Sequence, residues 1–246
     1  MATLAVIGGT GLTQLTGLNI IKREPVKTPY GDPSSTLVFG ELDGVEVIFL
    51  PRHGDRHTIP PHQVNYRANI HALHEAGVEN IIAIAAVGGI REDMAPGAIA
   101  IPDQIIDYTW GRKHTFFEGD LDYVTHIDFT QPYSASLREA LLAAATEAGL
   151  HPIDGGTYGA AQGPRLETAA EIQRMKRDGC SIVGMTGMPE AALARELDLG
   201  YATCAVSANW AAGLSEGEIS MEEIDTILGE AMGSVDTLLG KLVKRI

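Results

Sequence analysis

The densest group of cationic and hydrogen-bonding side chains in the sequence is Pro51-Arg52-His53-Gly54-Asp55-Arg56-His57, directly after the apolar run at 45–50. A guanidinium such as that of Arg52 can fork two oxygens of a phosphate, and an imidazole such as that of His53 can donate a further bond. The segment therefore reads as a site for a tetrahedral anion. The other use of such a segment is a solvated turn whose arginines pair with nearby carboxylates. Two more apolar runs end in hydroxyls. In Gly8-Gly9-Thr10-Gly11 the missing side chains let backbone N–H groups and Thr10 approach an anion, and Met185-Thr186-Gly187 offers a second hydroxyl.

Other chemistries find less support. Gly9-Thr10-Gly11 begins like G-x-G-x-x-G, but Gln14 occupies the place of the third glycine and no phosphate-loop lysine follows, so a glycine-cradled anion survives and a whole dinucleotide does not. His53, His57 and His62 lie in a proline-containing loop and not at i, i+4 on one helix. No H-E-x-x-H or cysteine pair accompanies them, so no metal is expected. No serine sits in a G-x-S-x-G elbow. What remains is an anion site with no evident protein nucleophile.

The elements that must position these residues follow from periodicity. A short apolar run at 4–7 reads as a strand feeding the glycine turn, and runs at 36–40 and 45–50 flank Leu42-Asp43-Gly44, a hairpin signal. Helical spacing at 64–76 ends at Gly77, before a wholly apolar strand at 80–87. The alternation returns with helices at 134–148, 167–176, 189–197 and 222–245 and strands at 156–160, 181–185 and 201–206. Continuous apolar strands between amphipathic helices predict one α/β domain over 1–246, its sheet covered on both faces. Ligands in such sheets collect beyond the carboxyl ends of strands, where the residues above fall. The stretch 111–131 is polar and aromatic without clear periodicity, and loops of that length usually have a task.

Composition narrows the partners. The chain has 246 residues, with 18 Lys+Arg against 32 Asp+Glu and a net charge of −14, which argues against nucleic acid and against an anionic membrane surface. With 45% apolar and 20% charged residues it can bury a large core. Cys180 and Cys204 are too few for a disulfide framework and fit a reducing cytosol. The first basic residue is Lys22, so a secretion signal is not expected, and the apolar run at 81–90 is half a membrane span. A cytoplasmic protein is expected.

Taken together, Val6-Ile7-Gly8-Gly9-Thr10-Gly11-Leu12, Arg52-His53-Gly54, His57-Thr58-Ile59, Val64-Asn65-Tyr66, Gly163-Pro164-Arg165, Met185-Thr186 and Pro189-Glu190 resemble the trimeric purine nucleoside phosphorylases, most closely the methylthioadenosine phosphorylase branch. The match runs in order from residue 4 to about residue 240. The resemblance implies a phosphorylase-type three-layer fold with a mixed central sheet flanked by helices. It implies phosphate held by Thr10, Arg52, His53 and Thr186, with the backbone at Ala85 and Ala86 closing the pocket. Purine would lie beside Val87, Gly88, Leu166, Glu167, Asn209 and Ala211, and ribose against Met185. His126 would reach in from a neighbouring subunit of a homotrimer. The co-substrate would be inorganic phosphate, with no cofactor. Phosphate would attack C1′ of the ribose as the bond to purine N9 breaks, through an oxocarbenium-like transition state.

Several residues depart from that branch. Asn209 and Ala211 stand where the methylthioadenosine enzymes carry aspartates; a carboxylate only accepts and suits a 6-amino group, whereas an amide can donate to O6 and accept from N7–H. Glu167, in a segment that looks like the Gly-Pro-x-Phe-Glu-Thr of the inosine and guanosine enzymes, offers an acceptor for N1–H. Its other reading is a helix-start carboxylate. Met221 aligns with a histidine that meets the 5′-hydroxyl in the inosine enzymes, and with Ile224 it suits a methylthio group better, although both could simply be core. Ala85 replaces a phosphate-facing threonine, and Leu166 replaces a phenylalanine that stacks on the base. The expected reaction is phosphorolysis of 5′-methylthioinosine. Methylthioadenosine, or inosine and guanosine, are the alternatives within the class; a nucleotide-cofactor oxidoreductase and a non-catalytic nucleoside sensor are those outside it.

Overall fold

The computed structural model describes residues 3–119 and 121–246, so the domain expected over 1–246 and the stretch 111–131 each contain residues outside those described. Every residue of the first strand, β1 (Leu4–Gly8), is buried, and successive side chains point to opposite faces. Both faces must therefore be covered. On one, Leu4 and Val6 join Val47 and Phe49 against two helices, α2 (Ala135–Glu147) and α5 (Met221–Leu242). On the other, Ala5 and Ile7 join Ile48 and Leu50 against α1 (Tyr66–Glu75) and α4 (Gly187–Glu196). This three-layer arrangement around a mixed sheet is the fold class expected from the resemblance.

The sheet begins at an edge strand, β2 (Asn19–Glu24), which pairs antiparallel with β3 (Leu37–Leu42), itself antiparallel to β4 (Val45–Pro51). Leu42 pairs with Val45, so Asp43 and Gly44 are the whole turn, with φ of 51° and 83°. That is the tight hairpin the Asp-Gly pair predicts. β4 runs parallel to β1, and β1 parallel to β5 (Asn80–Gly89). Beyond them lie β7 (Gln104–Asp107), β9 (Thr157–Ala160) and β10 (Cys180–Gly184), with β10 antiparallel to β5. On the other side of β5 runs β11 (Gly200–Trp210), which carries β6 (Ile99–Ile101) and, through it, β8 (Ile153–Asp154).

Periodicity missed β2, β6, β7 and β8. All six β2 residues are exposed, so no apolar alternation marks it, and β6 and β8 are too short to show a pattern. Caps shift two helix starts inward. The Asn65 side chain accepts from Ala68 N–H at 3.1 Å, so α1 begins at Tyr66 and not at 64. Thr168 and Glu171 form a capping box, so α3 (Ala169–Arg177) begins after 167. No helix of the described residues is long and apolar enough to cross a membrane.

Gly44→Ala tests the hairpin turn. A β-carbon in the left-handed region costs roughly 1–2 kcal/mol, so the urea unfolding midpoint should fall by that equivalent with an unchanged slope. An unchanged midpoint would mean that the turn is not held as described.

Candidate active site

The site arises from a gap in the sheet. One edge of β5 is paired with β11 from Asn80 to Gly89. The other edge holds β1 only as far as Ala83 and β10 only from Gly88. Residues 84–87 thus have no strand partner on that edge among the described residues, and the ends of β1, β4, β10 and β11 converge on it. A cavity of about 560 Å³ opens there, within the size range of small-molecule sites. Its wall includes Ala85, Ala86, Val87 and Gly88 of β5, as the sequence suggested.

Thr10, Arg52, His53 and Thr186 all line the cavity. Arg52 is 1% exposed, so it is no solvated turn residue. Its Nε and Nη2 donate to the two carboxylate oxygens of Glu190, both at 2.7 Å, and Nη1 donates to the Ile84 carbonyl at 3.0 Å. Three of its five N–H bonds are thereby used, which leaves one on each Nη. Its side edge belongs to Glu190, and the one N–H remaining on each Nη is what Arg52 has left with which to fork an anion. Burial alone would lower its pKa, but Glu190 and the nearby tyrosines raise it above the ordinary value. Gly9 makes this close approach feasible, because a β-carbon there would stand 2.5 Å from the Ile84 oxygen and 3.1 Å from Arg52 Nη1.

His53 is oriented through its other ring nitrogen. Its Nδ1 lies 2.8 Å from the Ile59 carbonyl, which can only accept, so the proton is on Nδ1 and the neutral ring presents Nε2 as an acceptor. Burial, with the Arg52 guanidinium and His57 beside it, lowers the pKa to about 4. In the neutral ring Nδ1–H is spent on Ile59 and Nε2 is left as an acceptor, and a proton gained at Nε2 beside an anion would make it a donor. Thr186 is 8% exposed, and its hydroxyl makes no capping bond to α4. Its N–H donates to Tyr158 Oη at 3.3 Å. Tyr158 is packed so closely that a β-carbon on Gly184 would meet that hydroxyl at 2.1 Å.

Leu166, Glu167, Asn209 and Ala211 line the cavity as well. β11 continues past 206, where periodicity ended it, and its pairing with β5 shifts between Ser207 and Asn209. This irregularity lets the successive residues Ala208 and Asn209 both face the cavity. The Asn209 Nδ2 donates to the Trp210 carbonyl at 2.7 Å, which fixes the amide's orientation and leaves one N–H and Oδ1 for a ligand. Glu167 is not the helix-start carboxylate. Glu171 fills the capping box and also takes both Arg165 Nη atoms at 2.8 Å, and burial raises the Glu167 pKa above the usual carboxylate range.

Met185, Ile219, Met221 and Ile224 line the remaining wall. Ile224 is buried, whereas Met221 at the start of α5 is 60% exposed and stands at the mouth, so it is not core. His126 is exposed in irregular backbone and does not line its own chain's cavity. Among the described residues no group of three His, Cys, Asp or Glu is placed to hold a metal ion.

Sequence reading gave no role to Glu190, Tyr158, Tyr201 or His57. Glu190 is fully buried and also accepts from Tyr201 Oη at 2.8 Å. Its signal was available, as an acid among Pro189, Ala191 and Ala192 at the start of a helix needs a cationic partner if that turn is buried. His57 lines the cavity with its Nε2 3.5 Å from Thr10 Oγ1, and burial lowers its pKa while Asp225 opposes the shift.

The chain matches the Phosphorylase superfamily over residues 3–244. It is 56% identical over 243 residues to a probable S-methyl-5′-thioinosine phosphorylase of Pseudomonas syringae pv. tomato, covering 99% of both chains. It is 47% identical over 229 residues to a 6-oxopurine nucleoside phosphorylase of Pyrococcus furiosus, covering 91% of this chain and 85% of that one. The solved methylthioadenosine phosphorylase of Schistosoma mansoni in complex with adenine superposes with a TM-score of 0.94 at 32% identity, covering 100% of this chain and 92% of that one.

Two stability measurements follow from the buried charges. Glu190→Ala strands the Arg52 guanidinium and should cost about 3–5 kcal/mol in urea unfolding; a loss below 1 kcal/mol would contradict the pairing. The His53 pKa lies below its unfolded value, so the unfolded chain binds the extra proton between pH 6.5 and about 4 and stability falls as pH drops through that window. The component amounts to roughly 3 kcal/mol and should be missing from the profile of His53→Gln. Identical profiles for the two proteins would show that His53 does not titrate this way.

Proposed function

The chain belongs to the Phosphorylase superfamily, and from that membership we propose that it cleaves the N-glycosidic bond of 5′-methylthioinosine with inorganic phosphate, giving hypoxanthine and 5-methylthioribose 1-phosphate. The observation that carries the substrate assignment is the donor and acceptor pattern at the base end. With one N–H of Asn209 spent on Trp210, the amide offers one donor to O6 and one acceptor to N7–H, and Glu167 offers an acceptor to N1–H. Hypoxanthine complements all three. Adenine presents a 6-amino donor and no N1–H, which leaves buried polar groups unpaired, and sites of this type reject such a partner strongly.

The reaction asks the protein for alignment and charge stabilisation. Arg52, Thr10 and Thr186 direct N–H and O–H donors at the anion, and Nε2 of His53 takes a proton-bearing phosphate oxygen. Phosphate then attacks C1′ while the bond to N9 breaks and its electron pair goes to the base; the Asn209 N–H meets the charge at O6, and the proton that phosphate gives up ends on N7, facing Asn209 Oδ1. No cofactor enters this scheme, because phosphate is itself the attacking group. Ile219, Met221 and Ile224 give the 5′ substituent apolar walls, which favours methylthio over hydroxyl. His126, exposed and outside its own cavity, fits a role at a neighbouring copy's site in a homotrimer. The buried free thiols of Cys180 and Cys204 suit the cytosol, and the products suit purine salvage.

A side-by-side phosphorolysis assay tests this. kcat/KM for methylthioinosine should exceed that for methylthioadenosine by roughly 100-fold or more. Equal rates, or preference for the adenine compound, would refute the base assignment, and equal rates with inosine would refute the 5′ assignment. Asn209→Asp should shift preference toward 6-aminopurines; unchanged selectivity would remove Asn209 from the argument.

A further inference from the structure

Arg112 lies in the long stretch that periodicity left without an element, and it is only 9% exposed. Its Nε donates to Gln162 Oε1 at 3.2 Å, and Nη2 donates to the carbonyls of Gln162 at 2.8 Å and Ala161 at 3.3 Å. Nη1 reaches the carbonyls of Met185 at 2.9 Å and Met188 at 2.5 Å and the Tyr66 hydroxyl at 3.3 Å. That hydroxyl in turn donates to the Pro61 carbonyl at 2.9 Å. No carboxylate pairs with Arg112 among the described residues. Two segments that border the cavity therefore meet at one guanidinium, the approach to Leu166 and Glu167 and the Met185-Thr186 turn, and the turn at Pro61 is tied to it through the Tyr66 hydroxyl.

Carbonyl dipoles from three loops repel when brought together without a donor between them, and burial removes the water that would otherwise intervene. A planar cation with five N–H bonds answers the four carbonyls at 161–162 and 185–188 from one position, and the Tyr66 hydroxyl answers that of Pro61; an ammonium with three N–H bonds cannot take the cation's place. Because Leu166 and Glu167 follow Ala161-Gln162 within a few residues, and Thr186 follows Met185 directly, the same side chain fixes the distance between the base end and the phosphate end. We propose that Arg112 is a positioning residue that holds the base loop and the ribose–phosphate turn in register, so that purine and phosphate binding both depend on it. The inference rests on reading the cavity as a purine and phosphate site.

Hypoxanthine and inorganic phosphate are titrated into wild-type protein, Arg112→Lys and Tyr66→Phe, with thermal midpoints measured alongside. Arg112→Lys keeps the charge and loses the fork; both dissociation constants should rise by roughly tenfold or more, in parallel. Asn209→Ala, at the base end alone, should weaken hypoxanthine and leave phosphate unchanged. Tyr66→Phe keeps the ring, is expected to fold even where Arg112→Lys does not, and should weaken both ligands by roughly threefold. Wild-type affinity for either ligand in folded Arg112→Lys, or for both in Tyr66→Phe, overturns the proposal. Failure of the wild-type protein to bind either ligand overturns the reading of the cavity, and the inference with it.

Discussion

The contact on which the rest of the structure depends is the buried pair between Arg52 and Glu190, neither of which is more than 1% exposed. Two charges taken out of water are tolerated only when their geometry is good and their remaining polar atoms are satisfied. Here the pair ties the end of β4 to α4, and Ile84 of β5 and Tyr201 of β11 complete it. Four elements are thus held against the same cavity wall. The pair also sets the character of the anion end. Glu190 offsets the charge of Arg52, and burial lowers the His53 pKa, so a phosphate held as proposed would be met by aimed N–H and O–H groups more than by net positive charge. That suits a chain carrying a formal charge of −14, and donors fixed before the ligand arrives need no reorganisation during the reaction.

The sheet explains why the site is where it is. A strand normally has both edges paired, and a buried strand with an empty edge leaves backbone polar groups unsatisfied. Between Ala83 and Gly88 the outer edge of β5 is left open by the handover from β1 to β10. Arg52 satisfies the Ile84 carbonyl there, and the rest of the edge faces the cavity. The irregularity in β11 opposite does the complementary work by turning Asn209 inward beside Ala208. A local departure from regular strand pairing on each side of β5 thus produces both halves of the pocket.

Much of this was legible in the sequence. Thr10, Arg52, His53 and Thr186 all follow apolar runs, and residues at strand ends are where an open sheet collects ligands. The Asp43-Gly44 hairpin and the alternating helices and strands were legible because the core imposes its period on them. What was hidden is tertiary. Glu190 and Arg52 are 138 residues apart, and no local pattern says that one will take two of the other's five N–H donors. That the Ile59 carbonyl claims the His53 Nδ1 proton, so that Nε2 is the nitrogen left for a ligand, is a consequence of loop geometry. Glu167 and Glu171 compete for the helix start in sequence, and only the capping box decides between them. Arg112 sits in a stretch without periodicity, where sequence gives composition but no direction.

The most direct measurement is a crystal structure of the protein with inorganic phosphate and hypoxanthine bound together. The account predicts the anion between Thr10, Thr186 and the two uncommitted N–H groups of Arg52, with Glu190 still on the guanidinium's side edge and purine O6 facing the Asn209 amide. Phosphate bound away from Arg52, a guanidinium that has left Glu190, or O6 facing no donor would contradict it.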